Sequence, residues 1–542
     1  MQGLMMNYPL TLQHAFNRAT RLFYRKEVVT QTENGLHRYT YADWGKRTMQ
    51  LANALKEAGV AQGDRVATFA WNTYRHLELY FAIPCYGAVL HTLNIRLFPE
   101  QLVYIVNDAE DRVIFVDGDL VPALEQIAER LPTVKLYVVM GQPPYQPQKL
   151  HPVVDYEDFI ASQPAEYAWP ELDENTAAAM CYTSGTTGNP KGVVYSHRSI
   201  FLHSMGVGLA DGPGLCEQDR VLPVVPMFHA NAWGFPHAGV MMGSSIVMPG
   251  RFLDPLRIAQ LMEKERVTLA AGVPTIWIGL LNVLEKEQFD FSALRAIISG
   301  GSAVPQSLIE GLARKNITII HAWGMTETSP LASISRLRSY QRDLPAEEQF
   351  RIRAKQGTVV PGVDFRVVNI ESGEEVPWDG QTFGELQVRG PWVARAYYKD
   401  AASGEKFVDG WLRTGDVAVV DSEGMIQLVD RTKDLVKSGG EWISSVELEN
   451  LIMGHPKVLE ACVVGVPHPK WSERPIACVV PKPEFAGQVS AEEILEYLRP
   501  KVAKWWLPDE VIFVEAIPKT SVGKFDKKVL RAQYESRLAS QA

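Results

Sequence analysis

At 542 residues the chain is too long for one compact core, so at least two domains are expected. Its 46% hydrophobic and 22% charged content is an ordinary globular balance, and a net charge of −9 argues against a nucleic-acid-binding surface. The five cysteines, at 85, 181, 216, 462 and 478, are odd in number and lack metal-ligand spacing, which argues against a disulfide framework and for a reducing, cytoplasmic setting.

Met1–Leu10 carries no positive charge and no long apolar run, so no secretory signal is expected. Tyr41–Ala58 has Tyr41, Trp44, Leu51, Ala54 and Leu55 at helical spacing. Arg65–Trp71 reads as a strand, His76–Gly87 as a helix and Ala88–Leu93 as the next strand, with short strands at Val113–Val116 and Leu136–Met140. Strands alternating with helices predict an α/β fold, with a mostly parallel sheet covered on both faces. Gly141–Lys149, rich in Pro and Gln, reads as a surface loop.

Ala177–Tyr182 and Val193–Ser196 read as strands flanking the loop Thr183–Gly192. That loop combines Gly185, Gly188 and Gly192 with the hydroxyls of Thr183, Ser184, Thr186 and Thr187, and with Lys191. Glycines let backbone N–H groups approach an anion, hydroxyls add donors and the lysine adds a point charge, so the loop suits a phosphate. It is not the P-loop of ordinary NTPases, because Gly192 follows Lys191 where Ser or Thr is required.

Val221–Gly250 runs for thirty residues without Asp, Glu, Lys or Arg. Its four prolines, with His229, Asn231 and His237, make it a poor membrane span, and it reads as buried strands and an uncharged pocket wall. Peripheral membrane contact stays open. Asp254-Pro255 is a cap-and-proline helix start, running towards Arg266. A strand at Leu269–Gly272, a helix from Thr275, a strand at Arg295–Ile298 leading to Gly300-Gly301-Ser302, and a strand at Ile317–His321 follow. Arg336–Lys355 reads as a charged helical excursion.

Near residue 432 the pattern changes. Asp430–Gly440 is a charged connector, and beyond it the order is helix, strand, strand, helix, strand, with strands at Leu459–Val466, Ile476–Pro481 and Glu510–Val514. Ser444 with Glu447, and Ser490 with Glu493, have capping-box spacing. A large domain over 1–432 and a small, mobile α+β domain over 433–542 are expected.

Thr183–Gly192 resembles the signature loop of the AMP-forming acyl-CoA synthetases and their adenylate-forming relatives. Four further motifs follow in that family's order, over essentially the whole chain. The resemblance implies that Ala322-Trp323-Gly324-Met325-Thr326-Glu327 meets the nucleotide. Trp323 would stack on adenine, Thr326 would donate to a phosphate, and Glu327 would hold Mg²⁺ with Thr183 or a neighbour as second ligand. Gly301-Ser302-Ala303 would lie along the adenine and the acyl group. Asp416 in Trp411–Asp416 and Arg431 in Asp430–Asp434 would contact ribose, Lys433 would be the interdomain pivot, and Lys524 in Lys519–Lys524 would be the catalytic lysine. Lys437, Gly439, Gly440 and Trp442 would lie on the nucleotide or pantetheine side after rotation.

Pro226–Pro236 resembles the family's acid-pocket wall. Trp233 falls where long-chain members carry a gating aromatic, His229 matches the motif histidine, and Ala230 and Gly301 would line the acyl chain. The region offers no concentrated charge for a second carboxylate or an amine, so a neutral alkyl acid fits. Each buried CH₂ contributes about 0.8 kcal/mol until the pocket ends, so medium-chain, long-chain and short thioether acids all stay open. The resemblance implies a fatty acid–CoA ligase using ATP, CoA and Mg²⁺, with a homodimer as a frequent family state. A ligase with another acid, such as a methylthioalkanoate, or with another acceptor, and a non-enzymatic acyl-nucleotide binder are the alternatives.

Overall fold

The computed structural model describes residues 1–141, 146–183, 189–439, 441–519, 525–535 and 537. Four sheets organise them. A seven-stranded sheet runs in the order 153–155, 136–140, 113–117, 65–69, 89–92, 177–182, 192–196, parallel except for the last pair. A nine-stranded sheet runs 358–359, 331–334, 319–324, 296–299, 269–272, 220–223, 245–248, 27–32, 35–40, with antiparallel pairs only at its two edges.

The helix Tyr74–Tyr86 shows why these sheets belong together. It is apolar around nearly its whole circumference and every residue except Arg75 is buried, as expected of a helix enclosed on all sides. One core cluster joins it to Leu90 and Phe115 of the first sheet and to Val221, Ile246 and Ile298 of the second. The charge inside it, Glu78, is fully buried and is held by Arg47 at 2.7 Å and by the hydroxyls of Tyr39 and Tyr156. Unpaired burial of that carboxylate would be strongly unfavourable.

Local signals landed where expected in several places. Asp254 accepts from the Arg257 N–H and opens the helix Pro255–Lys264. The seryl caps at Ser444 and Ser490 form, but without the return bond from Glu447 or Glu493 among the described residues; Glu493 instead pairs with Lys457 at 2.8 Å. The expected strand at Ile317–His321 is shifted: it spans Ile319–Gly324 and so carries Ala322, Trp323 and Gly324 itself.

A third sheet, of strands 364–368, 384–389, 411–420, 407–408 and 426–431, was not foreseen. The fourth, of strands 441–443, 436–438, 472–481, 458–468 and 510–513, forms the smaller C-terminal unit with the helices Ser445–Met453, Ala491–Leu498 and Lys527–Tyr534. A clasp joins the third sheet to the start of the helix Ser445–Met453: Asp430 Oδ2 accepts from both the N–H and the hydroxyl of Ser445 at 2.6 Å, and the Ser444 hydroxyl donates to the Val429 carbonyl. Among the described residues no helix is long and apolar enough to cross a membrane, and all five cysteines are free.

Candidate active site

Asp416 and Arg431 are register partners on the antiparallel strands Trp411–Val420 and Ile426–Arg431, so sheet pairing brings two distant motifs side by side. Arg431 Nε lies 3.1 Å from Asp416 Oδ1, and Trp323 Nε1 donates to Asp416 Oδ2 at 2.9 Å. The carboxylate beside it holds the Arg431 guanidinium above its ordinary pKa. Each carboxylate oxygen has two lone pairs, so Asp416 keeps acceptor capacity for a diol after both contacts.

Glu327 sits in the short turn Thr326–Thr328 directly after Trp323 and Gly324. Tight backbone packing fixes that turn: a Cβ on Gly324 would lie 1.7 Å from the Pro330 oxygen, and the Tyr195 hydroxyl donates to the Thr326 carbonyl at 2.8 Å. Glu327 is 5% exposed, and its Oε1 accepts from the Tyr397 hydroxyl at 2.5 Å. It forms no ion pair among the described residues. A buried carboxylate with one oxygen fixed and no ion-pair partner among the described residues fits a hard cation such as Mg²⁺.

The mouth of the Gly-rich loop is closed by two bonds: the Thr183 N–H donates to the Lys191 carbonyl at 2.9 Å, and the Lys191 N–H to Thr183 Oγ1 at 3.0 Å. Lys191 Nζ pairs with Asp400 at 2.8 Å and lies 4.9 Å over the Tyr397 ring. One tyrosine therefore touches both the loop lysine and Glu327. Ser184, Gly185, Thr186, Thr187, Gly188, Gly440 and Lys524 lie outside the described residues.

The wall at 226–236 has an unusual backbone. Ala230, Asn231, Ala232 and Trp233 have φ of 43°, 52°, 49° and 56°, a left-handed turn that ends in Gly234 at 75°. Each non-glycine residue there costs about 1–2 kcal/mol, and no other consecutive run of this kind occurs among the described residues. Buried polar contacts hold it. Asn72 accepts from the Met227 N–H at 2.7 Å and donates to the Pro223 and Val225 carbonyls. Asn231 Oδ1 accepts from the Cys181 thiol at 3.2 Å, and burial pushes that thiol up to about 11, so it remains a donor. The half-buried Trp233 ring edge is 3.6 Å from where a Gly300 Cβ would stand, which brings it against Gly300-Gly301. Gly301 itself has φ of 83°, a conformation glycine adopts without strain. His229 donates its backbone N–H to Pro226 and accepts from the Ala232 N–H, both at 3.0 Å, so its backbone anchors the turn.

Ser302 is exposed and Ala303 half-buried, just past the strand Ala296–Ser299. Lys433 offers its carbonyl to Arg531 at 3.3 Å. Lys437 and Trp442 face each other at 5.0 Å, and Trp442 borders a cleft of about 390 Å³ with Asn369, Asp379 and Phe383. Sequence reasoning missed Tyr397, Asp400 and Lys406. Each is linked to a motif residue only through the folded chain.

Two family descriptions match the chain: "AMP-binding enzyme" over residues 16–398, and "AMP-binding enzyme C-terminal domain" over residues 447–524. A long-chain-fatty-acid–CoA ligase of Thermus thermophilus is 47% identical over 98% of this chain and 97% of its own length. A 3-methylmercaptopropionyl-CoA ligase of Ruegeria pomeroyi is 45% identical over 99% of this chain and 100% of its own. A crystal structure of an anthranilate CoA ligase in complex with anthranoyl-AMP superposes with a TM-score of 0.86 at 26% identity, covering 98% of this chain and 99% of that one.

Proposed function

The chain belongs to the AMP-binding enzyme family, and from that premise we propose that it is an ATP-dependent fatty acid–CoA ligase favouring medium- to long-chain acids. In the first half-reaction a carboxylate oxygen attacks the α-phosphorus of ATP, the α–β phosphoanhydride bond breaks, and acyl-AMP and pyrophosphate form. In the second, the CoA sulfur attacks the acyl carbon, its proton is released, and AMP leaves.

The observation that carries this reading is the convergence of Trp323, Asp416 and Arg431 beside buried Glu327, which makes no ion pair among the described residues. Asp416 accepts from the ribose hydroxyls while Arg431 holds its charge in place, and Trp323 flanks the base. Glu327 and Thr183 hold Mg²⁺, which when bound neutralises phosphate charge and stabilises the leaving pyrophosphate. Lys191 and the hydroxyls of Ser184, Thr186 and Thr187 take the outer phosphates. Trp233, His229, Ala230 and Gly301 form the acyl wall. Lys524 stabilises charge on the pentavalent phosphorus in the first half only. The domain boundary lies at 432/433, and the small domain turns about Lys433 to bring Trp442 towards CoA.

The apolar wall and the lack of Asp, Glu, Lys and Arg along 221–250 favour a neutral alkyl acid. The reduced cysteines fit the cytoplasm. The exposed apolar arm of Leu4, Met5, Met6 and Tyr8 suits a homodimer, the state frequent in this family. A panel of carboxylic acids assayed for CoA-dependent pyrophosphate release tests the function. Turnover confined to short thioether acids selects the runner-up, in keeping with the Ruegeria relative. Pyrophosphate release without any need for CoA would point to another acceptor, and none at all to a binding protein.

A further inference from the structure

Lys406 is a half-buried lysine beside the nucleotide motifs. Its Nζ donates to the carbonyl oxygens of Arg413 at 3.0 Å and Thr414 at 3.4 Å. It also lies 3.3 Å from where a Cβ on Gly415 would stand, which places it against the residue before Asp416. The next residue in the chain, Phe407, packs edge-on against Tyr397 at 5.2 Å, and Tyr397 holds Glu327. The ammonium thus lies near enough to feel both carboxylates of the site, yet it makes no ion pair with either or with any other acid among the described residues. Burial pulls it below its ordinary pKa, while Glu327, Glu385 and Asp416 oppose that pull through space.

An ammonium has three donors, and two are used on backbone carbonyls. Lysines buried without an acid are uncommon because the charge loses hydration. A bound anion resolves that imbalance. On the ATP-dependent reading above, ribose lies at Asp416 and the metal-bearing phosphates at Glu327, so the phosphate attached to ribose spans the gap between them. We propose that Lys406 is a nucleotide-contacting residue whose remaining N–H binds that first phosphate, in ATP, in acyl-AMP and in AMP. Unlike Lys524, it sits on the large domain and stays in place for both half-reactions.

AMP and adenosine separate this role from a structural one, because they differ only in the phosphate. Calorimetric titration of wild type, Lys406→Met and Lys406→Arg with each ligand is the test. A charge-assisted hydrogen bond predicts that Lys406→Met weakens AMP about tenfold, leaves adenosine unchanged, and that Lys406→Arg recovers part of the loss. Unchanged AMP affinity in Lys406→Met would overturn the proposal. So would an equal loss for AMP and adenosine, which would make Lys406 a prop for the Gly415 turn. Wild type that binds neither ligand would sink the ATP-dependent reading itself, an outcome distinct from these.

Discussion

Tyr397→Phe removes one oxygen and leaves the ring, so the packing on Phe407 and the approach of Lys191 over the ring face persist. What disappears is the 2.5 Å bond to Glu327 Oε1, a site where both residues are under 10% exposed and water has little room to substitute. Hydrogen bonds to charged groups contribute about 1.5–3 kcal/mol. Outer-shell partners of metal ligands typically alter metal affinity by about 10–100-fold, or about 1.4–2.8 kcal/mol. The two ranges agree, so we expect the Mg²⁺ concentration for half-maximal adenylation to rise at least about tenfold. The assay is a Mg²⁺ titration of pyrophosphate release at saturating ATP, paired with calorimetric binding of ATP in EDTA, which should not change. A normal Mg²⁺ curve with a lowered melting temperature would refute the reasoning and leave Tyr397 as a packing residue.

Trp233→Ala should alter the acyl-chain profile while leaving the Mg²⁺ and ATP requirements unchanged; an unaltered profile with a large loss of thermal stability would make the indole a core residue. Lys524→Ala should abolish acyl-AMP formation but still convert supplied acyl-AMP and CoA to thioester, and Lys433→Pro, by fixing φ near −65°, should do the reverse. Rapid-quench assays of each half decide this, and equal slowing of both halves by Lys524→Ala counts against domain rotation. Burial raises the Asp117 carboxyl from 3.8 to about 7. The folded state thus binds that proton more tightly, and the stability this contributes is complete below pH 3.8 and lost as pH rises through 7. Asp117→Asn retains an acceptor for the Trp71 N–H, at 2.7 Å, and has no proton to lose. Its melting temperature should therefore gain on wild type as pH rises from about 4 to about 7 and hold that gain above, whereas a constant difference would show that Asp117 titrates normally.

What the sequence disclosed was local. Asp254-Pro255 marks a helix start because cap and proline act on adjacent backbone. The pairing of Asp416 with Arg431 was expected as two contacts to one ribose, but their direct opposition depends on a sheet that the sequence did not announce. Its strands 364–368, 384–389 and 407–408 are short and separated by turns. The left-handed turn at Ala230–Trp233 left no trace either. It holds no glycine before Gly234, and its contacts come from far away in the chain: Cys181 meets Asn231, while Asn72 and Tyr80 hold the segment just before it. Tyr397 stands 70 residues from Glu327, beyond any spacing argument.

The clasp between Asp430 and Ser445 bears on how such enzymes can be recombined. A crossover between two parents at residue 433, the pivot proposed above, would take Val429 and Asp430 from one and Ser444, Ser445 and Lys527 from the other. Asp430 is 3% exposed and receives two donors from Ser445, so a second parent lacking that hydroxyl would weaken the hold on a buried carboxylate. Lys527, bound to both Ser445 and Glu449, would lose a neighbour as well. Hybrids cut before Ile426 inherit the final strand of the third sheet together with the small domain, and keep the clasp within one lineage.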